Sequence, residues 1–262
     1  MTNKTATRIY FKASKNGVET KEINFAFYSG FAPIQKIKSR DSMHESILKQ
    51  EPNAKILEVS TKSDDEFGKK LSAFNLMIDN RPFECAFQES KRFKISDSII
   101  TNIELDTKGK GKISMDISDR LVRENDAYYL EPISDNPREL KSLLKAFMKA
   151  NKNAKLSHFV YKGKIFEINA GVANSESYFY DFLYFRALRE NFSQSEIRQI
   201  LQYSIFTDIE FNHKVSINCQ ARSCALYHYA LFNDKVDFYV ANKEHFKSLY
   251  NQYKQANKDG LF

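Results

Sequence analysis

The chain has 262 residues, 42% hydrophobic, 28% charged and 14% aromatic, with eight Gly and five Pro; this is enough for a sizeable apolar core and excludes a disordered or linker-rich chain. No apolar run reaches the ~18 residues of a membrane-spanning helix, and the opening MTNKTATRIYFKASK lacks the apolar stretch of a signal peptide, so a soluble cytoplasmic protein is expected. Lys and Arg exceed Asp and Glu by 40 to 33; eight of the bases (Lys4, Arg8, Lys12, Lys15, Lys21, Lys36, Lys38, Arg40) fall in residues 1–40 against Glu19 and Glu22, so this stretch carries +6 of the net +7.

In chain order, Arg8–Lys12, Glu22–Tyr28 and 54–60 (AKILEVS) read as strands from their alternation. Between the second and third, 42–50 reads as a short helix ended by Pro52, and 66–74 as a further helical turn. Pro82 sits at the first turn of a segment, 83–93, that reads as helix. The polar stretch 106–126, with Gly109 and Gly111, reads as a loop followed by a short helix. Asn136 caps the clearest helix, with Pro137 first, Glu139 third and an apolar stripe of Leu140, Leu143, Leu144, Phe147 and Met148. Residues 159–168 alternate about Lys162-Gly163 and read as a hairpin; 178–190 is an aromatic-dense helix. Ser193-Gln194-Ser195-Glu196 is a capping box, and 216–231 and 243–257 complete the helices. Strands before residue 80 and helices after it, with no βαβ alternation, predict an α+β protein. One domain over 1–262 is expected, with a basic β-rich part (1–60) and a helical part (61–262).

A locally basic surface attracts polyanions, so nucleic acid or a nucleotide diphosphate is a reasonable partner; a solvated lysine-rich face is the plainer explanation. Cys85, Cys219 and Cys224 are too few for a disulfide framework, and no CxxC or HxxxH spacing points to zinc. No Gly-rich phosphate loop is present, since the Gly109–Lys112 stretch is too short. If 83–93 is helical, Glu84, Gln88 and Lys91 share a face at i, i+4 and i+7. A Glu shielded from water is a potential general acid and a desolvated Lys a potential nucleophile. Exposed charge pairs of this spacing are common on helices, and on spacing alone that reading is favoured. A second cluster sets Asp208, Glu210 and Asn212 between Phe and Ile residues, followed by Asn218, Gln220 and Arg222. Such residues persist when hydrogen-bonded in the interior or when facing a ligand, and the sequence leaves both open. Tyr180, Tyr184 and Tyr203 suit base stacking, though aromatic helical stripes are more often core.

Several strings carry a family resemblance. Leu71-Ser72-Ala73-Phe74-Asn75, then 81–91 (RPFECAFQESK), resemble the signature of the NADAR (YbiA-like) family: an LSNF-like turn, a short hairpin, then a helix with an E-x-x-x-Q-x-x-K pattern. The order GF-x-x-x-QK-x-KS (30–39), Met43-His44, FYDFLY (179–184) and FTDIEFN-x-x-x-SINCQAR (206–222) resembles the branch paired with DarT-type DNA ADP-ribosyltransferase toxins. The resemblance covers residues 20–95 and 155–230; 96–154 match nothing usable, and Phe182 stands where the pattern expects Trp.

The resemblance implies a largely helical domain with a small sheet and an antitoxin hydrolase that removes ADP-ribose from guanine bases. The implied substrate is ADP-ribosylated guanine in single-stranded DNA, with RNA as the alternative; ADP-ribose is the product and an ADP-ribosyltransferase toxin the cognate partner. No metal or cofactor is implied. Glu84 takes the acid/base role, and Lys91 either attacks the anomeric carbon or balances charge. Gln88 and Asn75 are the candidates for the ribose hydroxyls, Lys36, Lys38 and Arg222 for the diphosphate. Asp208, Glu210 and Asn218 suit ribose or the guanine edge, and Phe87 or Tyr184 a stacked ring. Competing readings are an antitoxin that neutralises its toxin by stoichiometric binding, an N-glycosidase for small glycosylamines, and a plain nucleic-acid-binding module.

Overall fold

The computed structural model describes residues 4–30, 32–96, 98–106, 111–132, 134–168 and 175–258. In chain order the first elements are β1 (Lys4–Ser14), β2 (Gly17–Phe27), α1 (Pro33–Gln50), β3 (Ile56–Glu58) and α2 (Glu66–Lys70). Next come β4 (Met77–Ile78), β5 (Arg81–Pro82), α3 (Phe83–Glu89), β6 (Lys91–Lys94), β7 (Asn102–Asp106), β8 (Lys112–Asp116), β9 (Leu121–Glu124) and β10 (Ala127–Leu130). They are followed by α4 (Pro137–Ala150), β11 (Lys155–Tyr161), β12 (Lys164–Glu167), α5 (Ser175–Asn191) and α6 (Gln194–Ile197). A 3₁₀ turn (Arg198–Gln202), β13 (Ile205–Thr207), α7 (Gln220–Phe232), α8 (Val236–Ala241) and α9 (Lys243–Lys258) complete the order. The expected α+β class, with a small N-terminal sheet and several helices, is the one observed. Among the described residues no helix is long and apolar enough to cross a membrane.

The chain divides into two compact units, one of Met1–Leu76 with Val172–Phe262 and one of Met77–Gly171. In the first, the sheet order is β2-β1-β13-β3, with β13 antiparallel to β1 and parallel to β3. Strand alternation turns Ile23 and Phe25 of β2 and Tyr10 of β1 toward Met43 and Ile47 of α1, where Ile205 and Ile209 join them. β2 is an edge strand, and an edge must be covered or paired. Ser39 and Ser42 of α1 do so, their hydroxyls accepting the Tyr28 and Ala26 N–H groups at 3.0 and 3.1 Å. The helix read at 42–50 therefore begins earlier, at Pro33, because this cover extends its first turns.

Gly68 fixes how α2 meets β3. A Cβ there would come within 2.5 Å of Ser63 Oγ and closer still to the Glu58 carbonyl. Gly68→Ala should therefore destabilise the protein by about 2 kcal/mol, an overpacking cost that exceeds the roughly 1 kcal/mol of helix propensity gained. A urea midpoint equal to or above wild type would contradict this close approach.

The second unit holds a five-stranded sheet, β12-β11-β6-β10-β9, and the β7–β8 hairpin. Leu140, Leu143, Leu144 and Phe147 of α4 are buried against Phe93, Ile103, Ile117 and Leu130, each burial worth about 1.5–3 kcal/mol before entropy is counted. The Asn136 cap is as expected, its side chain accepting from Arg138 N at 3.0 Å. The hairpin about Lys162-Gly163 and the Ser193 capping box are also observed.

Two expectations are corrected here. Helices hold most of the regular structure after residue 80, as expected, but residues 91–130 hold five strands. The stretch read as loop and short helix is two hairpins, β7–β8 and β9–β10, the latter turning at Asn125 with φ of 56°. Of the two glycines on which the loop reading leaned, Gly109 lies outside the described residues and Gly111 directly precedes β8. The helix read over 83–93 ends at Glu89. The Ser90 hydroxyl bonds back to the Phe87 carbonyl (2.6 Å), and residues 91–94 become the central strand of the sheet. Lys91 is thus on β6, paired with Phe159 of β11, and not on the helical stripe.

Candidate functional site

In the second unit a tight hairpin, β4–β5, aims α3. Its two turn residues, Asp79 and Asn80, both adopt positive φ (50° and 60°), the requirement of a two-residue turn matched to strand twist. Arg81 then binds both Glu89, the last residue of α3, and Asp135. On α3, Phe83 and Cys85 are fully buried and Phe87 nearly so, stacked on Phe159 at 5.6 Å. Glu84, Gln88 and Lys91 still meet, although the last is on a strand. Lys91 Nζ donates to Gln88 Oε1 at 2.8 Å and lies 4.9 Å from the Phe87 ring centre. Gln88 also bonds to Glu84, whose carboxyl is pushed above the usual range by burial, against the opposing pull of Lys141, Gln88 and Lys91. A carboxyl pushed toward its protonated form, joined through an amide to an amine, can protonate a leaving group beside a nucleophile or a fixed cation.

The first unit gathers a different set of carboxyls. Glu58 is buried at the end of β3 and accepts from Ser60 Oγ (2.6 Å), Thr207 Oγ1 (2.7 Å) and Ile209 N (2.9 Å). His44 Nε2 lies 2.8 Å from Thr207 Oγ1 and 3.7 Å from Glu58. Burial alone would raise the Glu58 carboxyl, but the hydrogen bond and charge of His44, with Ser60 and the Ile209 amide, hold it below its ordinary value. Asp208 is shifted the other way, well upward, by burial and by the nearby Glu58 charge, against hydrogen bonds from the Glu210 amide and Gln220. The two carboxyls are thus pushed in opposite directions, Glu58 toward its charged form and Asp208 toward its neutral form. The Gln220 side chain in turn accepts from Ala73 N (2.7 Å) and Ser72 Oγ (3.3 Å), fixing the turn that ends at the exposed Asn75.

A raised folded-state carboxyl pKa means that stability is full below the unfolded value of about 4 and is lost as pH rises toward the folded value. Asp208→Asn keeps the Oδ1 acceptor for Glu210 N and removes the ionisation. The variant should gain stability relative to wild type progressively above about pH 4, read as urea midpoints across pH. Parallel curves for the two proteins would show Asp208 ionised in the fold.

The remaining expected site residues are spread over the first unit. Lys36 and Lys38 lie on the first turns of α1, over the rings of Phe27 and Tyr28. Glu210 is exposed and accepts from Thr61 (3.3 Å); Asn218 precedes α7, its Oδ1 buried without a hydrogen-bond partner among the described residues. Arg222 is already engaged, its Nη2 reaching the fully buried Asp181 at 3.0 Å, which also accepts from Ser223 (2.5 Å) and Tyr250. Tyr184 is fully enclosed, its hydroxyl donating to the Leu71 carbonyl and 3.1 Å from Cys224 Sγ. The three thiols are buried, which raises Cys85 to about 11, Cys224 to about 12 and Cys219 well above its usual value, so none is a ready nucleophile. Among the described residues no three His, Cys, Asp or Glu side chains gather as a metal site.

Sequence reasoning did not single out Glu58, His44 or Asp181 as polar centres. Asp181 carried a signal, as the one acid in the aromatic run FYDFLY, and Glu58 a weaker one, following Ile56-Leu57 on a strand; His44, among Ser42, Glu45 and Ser46, carried none.

The fold and its enclosed acids define an α+β protein with a small N-terminal sheet, consistent with a YbiA-like, NADAR-type domain. The chain belongs to the family of DarT1-associated NADAR antitoxins, whose sequence pattern matches residues 6–107 and 122–260. The match thus runs through most of 96–154, which carried no usable resemblance. A comparison with curated proteins finds no match.

Proposed function

We propose that the protein is an antitoxin hydrolase that cleaves the N-glycosidic bond between ADP-ribose and the amino group of guanine in single-stranded DNA. The observation that carries this is the Glu84–Gln88–Lys91 array, a carboxyl raised by burial and an amine held 2.8 Å from the shared amide. Breaking this bond requires stabilising an oxocarbenium-like centre and protonating a poor leaving group. Glu84 arrives protonated and gives its proton to the departing guanine nitrogen. Lys91, having first lost its ammonium proton to solvent, attacks the anomeric carbon as the carbon–guanine bond breaks. Its own proton returns to Glu84, the ribose opens to an imine, and water hydrolyses that imine to release ADP-ribose and the free amine. The contact of Lys91 Nζ with the Phe87 ring favours a second role, in which the ammonium only steadies charge. Asn75, Glu210 and Asn218 are the candidates for ribose and guanine contacts, with Asp208 as a hydrogen-bond donor. Lys36 and Lys38 remain candidates for phosphate, whereas Arg222 is engaged by Asp181.

The test is incubation of the purified protein with an oligonucleotide carrying ADP-ribosylated guanine, with free ADP-ribose detected by mass spectrometry. Release by substoichiometric protein supports the reading. No release, together with tight stoichiometric binding of the toxin, would make this a binding antitoxin.

A further inference from the structure

The basic residues of the first forty do not share one fate. Lys12 and Lys21 both reach Glu51, at 2.9 and 2.6 Å, and the buried Arg40 holds Asp41 and the Lys62 carbonyl. Lys4, Arg8, Lys36 and Lys38 differ: among the described residues no carboxylate lies within 4.0 Å of any of them. They gather around two rings at the end of β2. Lys4 stands directly opposite Phe27 in the β1–β2 register. The Arg8 guanidinium and the Lys36 ammonium each lie 5.7 Å from the Phe27 ring centre, and Lys38 Nζ lies 6.0 Å from that of Tyr28.

Among the described residues none of the four makes an ion pair, and the Asp41 carboxylate of α1 is held by Arg40. Glu22 pairs with Ile9, and the two-residue strand period puts it on the face opposite Arg8 and Phe27. The first turn of α1 contains no acid. Arg8 is half-buried, burial lowers its pKa, and its Nε has no hydrogen-bond partner among the described residues. Cation–ring contacts return only about 0.5–1 kcal/mol each at exposed sites, too little to account for four like charges held together. A polyanion accounts for them, and rings between the cations suit a strand whose bases are unpaired.

We infer that the end of the β1–β2 hairpin and the start of α1 bind the phosphodiester backbone of single-stranded DNA flanking the modified guanine, with Lys4, Arg8, Lys36 and Lys38 on successive phosphates. This rests on the substrate proposed above and adds where its strand runs. The same cations also suit the diphosphate of ADP-ribose, so the test separates the two sources.

The full chain is titrated with an unmodified thymidine oligonucleotide, by fluorescence anisotropy at several salt concentrations, and with ADP-ribose alone, by calorimetry. In the Lys4→Gln/Arg8→Gln variant the slope of log K against log salt should shrink by about 1.4, at about 0.7 per lost contact, with ADP-ribose affinity unchanged. Lys4→Gln/Lys38→Gln, which alters two exposed side chains, should shrink the slope equally and guards against a folding defect from Arg8. An unaltered slope in both variants overturns the inference. Lost ADP-ribose affinity with an unaltered slope also overturns it, assigning the cations to the diphosphate. Because the unmodified oligonucleotide is not a substrate, failure to release ADP-ribose from the modified one would leave this result standing.

Discussion

Replacing Glu84 with Gln should slow ADP-ribose release by about 10²–10⁴-fold, the usual contribution of a positioned general acid. Gln matches Glu in shape and can still bond to Gln88. Because burial favours the uncharged form of this carboxyl, the neutral replacement should fold normally. ADP-ribose affinity should stay within about twofold, the pattern of a group acting mainly in the transition state. The wild-type rate should fall as pH rises through the elevated Glu84 value, where the acid is lost, and this limb should vanish in the variant. Wild-type-like turnover by Glu84→Gln would remove Glu84 from the mechanism.

Lys91 gives the second large effect. If its amine forms the imine, borohydride added during turnover should fix the opened ribose on the protein. Intact-mass analysis would then show an adduct of the ADP-ribosyl group, mapped by peptide sequencing to residue 91. Lys91→Ala should abolish both adduct and release. An unchanged mass during active turnover would restrict Lys91 to electrostatics, and its removal would then cost about 10²–10³-fold, as for other fixed charge-stabilising groups. Gln88→Leu adds a check on geometry. It removes the acceptor that holds Nζ at 2.8 Å, so it should lower the rate without removing the trapped adduct.

The local pattern of residues was a good guide wherever an element is decided by its own side chains. The α4 cap and stripe, the Lys162-Gly163 hairpin and the Ser193 capping box all depend on contacts within a few positions. Residues 91–130 were misread because short polar strands such as Lys91–Lys94 have no periodicity of their own; they are strands because partners on both sides supply the hydrogen bonds. The same cause moved Lys91 from helix to strand, yet the array survived. The chain turns at Ser90, and the new direction still returns the lysine to Gln88.

The order of residues alone established the family, the α+β class, the concentration of positive charge before residue 40, and the types of side chain available for the chemistry, since all of these depend on identity and spacing. Protonation and partnership were decided by tertiary structure. Glu58 and Asp208 lie far apart in the chain and have the same functional group, but the first is pushed toward its charged form by His44, Ser60 and a backbone amide and the second toward its neutral form by burial and the Glu58 charge. Likewise, Arg222 is engaged by Asp181, while Arg8, Lys36 and Lys38 gather on two rings with no ion-pair partner among the described residues. The charge of a buried group depends on what surrounds it in space, and that environment is assembled from distant segments only when the chain folds.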